Sequence, residues 1–462
     1  MNKGNSLFKG FFLISFVFIF LCIYDIVYEK SQYLKQNYRP ANILPIKKNL
    51  LVRNTKIQEK SRLKQNIIFL KDIIANKERF KAYNDSIERI KNYDGDHDAL
   101  VYFFQSLLNV ENKGKGTSRI GYYGDSMIEG DLMSMTLRTM LQERFGGRGV
   151  GFVPITSITN FFRATIKHRF SKGWKSYNVN QSNNFFPLGI SGEVFVPDMT
   201  YLNHEVFYKS SNYRFLQDFP STKFFYGVDT SKVKSSKLFV KKDTFLLDKE
   251  EHVNTLYLSK YAQKELSIQF NFSSPIPIYG LSFESNKGVL VDNFAIRGNS
   301  GMPMTKISSN MLTSFNKEMN YDLIILQFGL NVVSGKSNFV WYQKQMERVI
   351  RHFKKAIPYA SILIVSVPDQ SYKNPEGSMS SNPSVIHVVK AQREAARACN
   401  VAYYNLYKAM GGENSMIRWV EELNYANKDY IHFSPSGAKY ASTLVFEYLM
   451  HEYEEYKKSL DE

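Results

Sequence analysis

The stretch "RIGYYGDSMIEGDL" (residues 119–132) turns an apolar run into a small polar corner. Ile120, Gly121, Tyr122 and Tyr123 carry no charge, Gly124-Asp125-Ser126 ends the run, and a helix-like sequence follows at once. A strand that stops at glycine and feeds directly into a helix is the repeating step of a parallel α/β sheet. A serine at such a corner is either a helix cap or a nucleophile. The remainder of the chain has to decide between the two.

Outward from that corner, a helix is expected over about 128–145, closed by Gly146-Gly147. An amphipathic pattern at 98–110 precedes the strand. Alternating α/β texture returns later. "VLVDNFAIRG" (289–298), "DLIILQFG" (322–329), "SILIVSVP" (361–368) and "VAYYNLY" (401–407) read as strands, the middle two as continuous apolar runs of the kind buried on both faces. Helical periodicity lies near 338–356, 383–398 and 435–454. Between 156 and 287 the pattern changes to short alternating runs such as "ELSIQFNFSS" and "IPIYGLSFES", separated by turn residues. The expected fold class is therefore α/β: a doubly wound parallel sheet interrupted by an inserted β-sandwich-like domain. The corresponding boundaries are 96–155 and 288–462 for the two parts of the sheet domain and 156–287 for the insert.

The 462 residues suffice for two or three domains, and 30 Tyr and 35 Phe suit a strand-rich chain, mostly as core and strand filling. Two cysteines exclude a disulfide framework. "FFLISFVFIFLCIY" (11–24), extended to Tyr28, has no small-residue cleavage site after it and is expected to be an uncleaved signal anchor over 1–28. Residues 29–95 read as a basic stalk. Of the net charge of +17, a large share falls in 30–64, which holds ten Lys/Arg and the single acid Glu59. Such charge beside a membrane meets anionic lipid or polymer and is not the patterned face that nucleic acid requires. The positive-inside bias alone would keep the chain in the cytoplasm; the short N-terminus and signal-like hydrophobic core favour export. Export to the periplasmic side of an inner membrane is the expectation adopted.

Ligands of open parallel sheets sit beyond the C-terminal strand ends. Four such places carry notable residues: Gly124-Asp125-Ser126, then "IRGNSGMP" with Gly298 and Gly301, then Gly329-Leu330-Asn331, and finally Asp429-Tyr430-Ile431-His432. Serine needs a base, the base needs an acceptor on its other ring nitrogen, and an acyl-transfer oxyanion needs preorganised donors. Ser126, His432 and Asp429 fit the first three roles. The Ser126 and Gly301 backbone N–H groups and the Asn331 side-chain amide fit the last. Asp125 is read as orienting its loop. Competing motifs fail: there is no Gly-x-Ser-x-Gly elbow, "HEVFY" at 204 has Tyr208 where a zinc protease needs its second histidine, and "GGRGVG" at 146 follows a helix with the wrong spacing for a dinucleotide.

The four blocks, in this order, resemble the SGNH/GDSL hydrolase superfamily over about 118–154 and 288–450. Val332 departs from it, since many members have an acidic residue after the asparagine. "GDSMIEGDLMSMTLRTMLQERFGGRGVGFVPI", the β insert ending in "GLSFESNKGVLVDNFAIRGNSG", and the N-terminal segment are similar to the cell-envelope branch containing bacterial peptidoglycan O-acetylesterases. The resemblance implies an esterase that removes O-acetyl groups from an envelope polysaccharide through an acyl-serine, with no metal or organic cofactor and a carbohydrate-binding-like insert. A polysaccharide O-acetyltransferase using the same residues, or a non-catalytic glycan-binding protein, remains as an alternative. For Trp174 both a sugar platform and core packing are open, with core packing favoured.

Overall fold

The computed structural model describes residues 99–462 apart from 183–184, 229–235, 334–337 and 462. The expected anchor (1–28) and stalk (29–95) lie outside the described residues. Among the described residues no helix is long and apolar enough to cross a membrane.

Five strands make a wholly parallel sheet: β1 (Gly116–Gly124), β2 (Lys287–Ala295), β3 (Leu323–Gln327), β4 (Ser361–Val365) and β5 (Ala402–Tyr404). Their spatial order is β2-β1-β3-β4-β5, one of the two common doubly wound orders. Every residue of β3 and β4 is buried, as their unbroken apolar runs require. The longer helices are α1 (Val101–Lys113), α2 (Leu132–Phe145), α3 (Ser309–Met319), α4 (Phe339–Ala356), α5 (Ser384–Ala398) and α6 (Pro435–Asp461). Helices α1, α2 and α6 pack on one another, and α4 packs on both α3 and α5.

Helix α2 starts at Leu132, not near 128. Residues Ser126–Asp131 form a 3₁₀ turn in which Glu129 is extended and Gly130 and Asp131 adopt left-handed φ values of 68° and 67°. The left-handed Asp131 is held by Arg138, which donates to both carboxylate oxygens at 2.7 and 3.0 Å. A Gly-Asp pair that can leave the right-handed region delays the helix by one turn.

The segment between α2 and β2 is a two-sheet sandwich. One sheet is ordered Asn254–Ser259, Thr222–Tyr226, Ile278–Phe283, Glu193–Pro197, Trp174–Asn178, with Gly151–Val153 also paired to Ile278–Phe283. The other runs Ile166–Phe170, His204–Ser210, Glu265–Asn271, Ser236–Val240, Asp243–Leu247. The strand Glu265–Asn271 alternates exposed and buried along its length and feeds Leu266, Ile268 and Phe270 into the core between the sheets. Trp174 lies edge-on to Phe270 and Phe272 at centroid distances of 5.3 and 5.7 Å, so it packs against that core. Ile278–Phe283 is buried on both sides. Its own Tyr279, with Phe152 and Phe225 of the neighbouring strands, meets Phe294 of β2 and Phe315 of α3, which docks the sandwich on the parallel-sheet domain. The glycine-rich exit from α2 is a close crossing of backbones: a Cβ on Gly149 would lie 2.2 Å from the Phe283 carbonyl oxygen.

Candidate active site

The register of the sheet sets the site. Gly124 at the end of β1 pairs with Ala295 of β2 and with Gln327 of β3, so three neighbouring strands finish level. The loops that leave them carry Ser126, Asn299-Ser300-Gly301 and Asn331, side by side at one rim. Gly124 admits no side chain there, because a Cβ would come within 2.9 Å of Ile128 and of the Gln327 carbonyl oxygen.

Asp125 is extended, and its Oδ1 accepts the Met127 N–H at 3.0 Å, starting the 3₁₀ turn with Ser126 as its first residue. The Asp125 carboxyl is 1% exposed, and burial pushes it up to about 6 against the backbone bonds that favour its ionised form. It caps and orients the turn, and Ser126 is left facing the rim.

Ser126 Oγ lies 2.8 Å from His432 Nε2 although the two are 306 residues apart in the chain. His432 Nδ1 lies 2.8 Å from Asp429 Oδ2. The loop that brings them is tied at several points. Ala426 bridges Phe433, the Asn427 N–H donates to the His432 carbonyl at 2.8 Å, and Asp429 Oδ1 accepts the N–H groups of Ile431 and His432, both at 3.0 Å. Burial would raise the Asp429 carboxyl, but the bonds from the His432 ring and from these backbone N–H groups outweigh it and leave it below the ordinary carboxylate range. The carboxylate is thus ionised over the neutral range and fixes the imidazole with its proton on Nδ1 and its free lone pair on Nε2, facing Ser126.

Gly301 and Asn331 are brought to the same rim through Asn299. The Gly301 N–H donates to Asn299 Oδ1 at 2.9 Å, and Asn331 Nδ2 donates to the Asn299 carbonyl at 3.1 Å. An amide nitrogen carries two hydrogens, so Asn331 retains one beyond that bond. The first and second loops are also bridged: Arg297 donates to Glu129 Oε2 from Nε at 3.0 Å and from Nη2 at 2.6 Å. Glu129, Arg297 and Asn299 were not singled out from the sequence. The Arg297–Glu129 pair spans 168 residues and leaves no local signal. Asn299 did leave one, since an asparagine two residues before a glycine is an Asx-turn pattern.

A hydroxyl, an imidazole and a carboxylate in linear relay beside amide donors are equipped for nucleophilic acyl transfer. No protein-family model and no curated protein matches the chain. Solved structures do. A peptidoglycan O-acetylesterase superposes with a TM-score of 0.66 at 21% identity, covering 79% of this chain and 99% of the other. A GDSL-like lipase from Parabacteroides merdae (13% identity, 34% of this chain and 72% of the other, TM-score 0.26) and a family 3 carbohydrate esterase from Talaromyces cellulolyticus (13%, 36% and 72%, 0.27) also align with smaller portions. The chain, with its 2-1-3-4-5 parallel sheet and inserted sandwich, has the fold of the solved peptidoglycan O-acetylesterase.

Proposed function

We propose that the protein is a serine esterase that removes O-acetyl groups from a cell-envelope polysaccharide such as peptidoglycan. The observation that carries this reading is the relay Ser126 Oγ–His432 Nε2–Asp429, with both links at 2.8 Å, at the C-terminal rim of the sheet. In the first half-reaction Ser126 Oγ bonds to the acetyl carbonyl carbon and its proton passes to His432 Nε2. The oxyanion is held by the N–H groups of Ser126 and Gly301 and by the second amide hydrogen of Asn331. The carbon–oxygen bond to the sugar breaks, and the sugar oxygen takes the proton from His432. Water then repeats the sequence on the acetyl-serine, giving acetate and free serine. Asp429 stabilises the imidazolium formed in each half.

The superposition with a peptidoglycan O-acetylesterase along nearly the whole of that chain supports an acetylated polysaccharide as substrate. We place the site outside the cytoplasmic membrane, tethered by the apolar N-terminal segment.

The test is labelling by a fluorophosphonate together with acetate release from O-acetylated peptidoglycan and from other acetylated polysaccharides. Labelling that disappears in Ser126→Ala, with acetate released from the peptidoglycan, is expected. An unlabelled wild-type protein would leave a glycan binder, and acetyl transfer to an added glycan in place of acetate release would make the chain a transferase.

A further inference from the structure

We propose that Asn299 is the positioning residue of the oxyanion hole and that it acts through both Gly301 and Asn331. This rests on the acyl-transfer reading above and adds a residue to it.

Asn299 is 1% exposed, and each of its polar groups is engaged. Its N–H donates to the Ile296 carbonyl at 3.1 Å, its carbonyl accepts Asn331 Nδ2 at 3.1 Å, its Oδ1 accepts the Gly301 N–H at 2.9 Å, and its Nδ2 points to Met304 Sδ at 3.2 Å. One buried residue therefore holds two of the three donors offered to the oxyanion, from two different strand-end loops. Its own loop is secured to the first block, because the Ile296 N–H donates to the Gly124 carbonyl at 3.0 Å.

The two links do different things. The carbonyl of Asn299 takes one amide hydrogen of Asn331 and so fixes the rotation of that amide and the direction of its second hydrogen. The Asn299 side chain holds the Gly301 N–H on a neutral amide oxygen while no substrate is bound. An oxyanion is a stronger acceptor than a neutral amide oxygen. As charge develops, the N–H is drawn from Asn299 toward the substrate, so this bond is strongest in the transition state and weak in the ground state. Interactions of that kind change kcat and leave KM nearly untouched.

A carboxylate at position 299 separates this role from a purely structural one. Asn299→Asp keeps the shape and the acceptor that caps Gly301, but it loses the Nδ2 donor to Met304 Sδ and buries a carboxylate, so it lowers stability in either role. A merely structural position would show that loss of stability with kcat of the folded protein unchanged, whereas a positioning residue of the hole loses kcat as well. The carboxylate competes with the oxyanion for the same N–H and opposes its charge.

The experiment measures kcat and KM for p-nitrophenyl acetate with the full chain, wild type against Asn299→Asp, Asn299→Ala and Ser126→Ala, with melting temperatures alongside. For the folded Asn299→Asp protein the expected result is a lowered melting temperature, KM within about twofold, and a fall in kcat of roughly 10²-fold, the scale of losing one hole donor. Asn299→Ala keeps the main-chain carbonyl that fixes Asn331 and removes only the acceptor that holds the Gly301 N–H, so it is expected to lose roughly 10-fold in kcat at similar KM as that one donor loses its orientation. If Ser126→Ala is inactive while both Asn299 variants keep kcat within threefold of wild type, the proposal is overturned and the acyl-serine reading stands. If Ser126→Ala is as active as wild type, it is that reading which falls.

Discussion

Replacing Asp429 by asparagine should be at least as damaging as replacing it by alanine, and the geometry of one carboxylate says why. Asp429 Oδ1 accepts two backbone N–H groups, those of Ile431 and His432, and Oδ2 faces His432 Nδ1. An asparagine has one oxygen and one NH₂ for these two places. With the NH₂ toward the backbone, two donors meet donors and two hydrogen bonds are lost, at about 1 kcal/mol each. With the NH₂ toward the imidazole no bond is lost, but Nδ1 becomes an acceptor and the ring proton moves to Nε2, where it cannot receive the proton of Ser126. The unproductive arrangement is therefore favoured by about 2 kcal/mol, which leaves the competent tautomer at roughly one part in thirty. Loss of the negative charge beside the imidazolium costs about another 1–2 kcal/mol, the margin of a charged over a neutral hydrogen bond. The product is a fall in kcat of roughly 10²–10³-fold for Asp429→Asn. It is below the roughly 10⁴-fold of a fully buried triad carboxylate because the Asp429 side chain is 45% exposed and water softens its field. Asp429→Ala frees both tautomers and should lose roughly 10²-fold. The assay is hydrolysis of p-nitrophenyl acetate by the full chain at neutral pH. Asp429→Asn retaining more than about a tenth of wild-type kcat, or outrunning Asp429→Ala tenfold, would refute the tautomer reasoning.

Arg119 of β1 is 1% exposed and donates to Asp292 Oδ2 at 2.8 Å and Glu284 Oε2 at 2.5 Å, tying the parallel sheet to the sandwich. Arg119→Met strands two buried carboxylates and should cost about 3–5 kcal/mol in urea unfolding, nearer the lower figure because Lys223 and Tyr321 still reach them; a loss under about 1 kcal/mol would contradict it. This network, together with the separate Asp131–Arg138–Arg163 cluster, sets acid sensitivity. Burial pushes the Glu284 and Asp131 carboxyls up, but Arg119 and Lys223 for the first, and Arg138 and Arg163 for the second, hold both at about 2. Unfolded carboxyls titrate near 4, so the native state binds fewer protons between these values. Their stabilisation is complete above about pH 4.5 and is lost as pH falls toward 2. The urea midpoint should drop steeply across that window, and a flat midpoint would refute the assignment.

The four blocks were legible because each is a local pattern with a chemical reason: in the first three an apolar run stops at glycine beside a residue that acyl transfer requires, and in the fourth an aspartate stands three residues before a histidine. The sandwich was legible because strand alternation and turn residues differ from helical periodicity within a few positions, as in Glu265–Asn271. The start of α2 was misplaced because Met127, Ile128 and Glu129 look helical, while the left-handed Asp131 is held by Arg138 and Arg163, the latter from the sandwich segment. Asn299 escaped notice because its two functional contacts include one to Asn331, on the next strand's loop.

By itself the sequence determined which segments are strands and helices, where the sheet is interrupted, and which residue types wait at the strand ends, since these follow from side-chain periodicity and backbone preferences within about ten residues. Only the tertiary structure decided that β2 and β3 flank β1 with their ends level, that His432 reaches Ser126 across 306 residues, and that Glu129 pairs with Arg297. Such pairings depend on strand order, register and loop closure, which are settled by burying the whole sheet against its helices and the sandwich, and no short window of sequence contains that information.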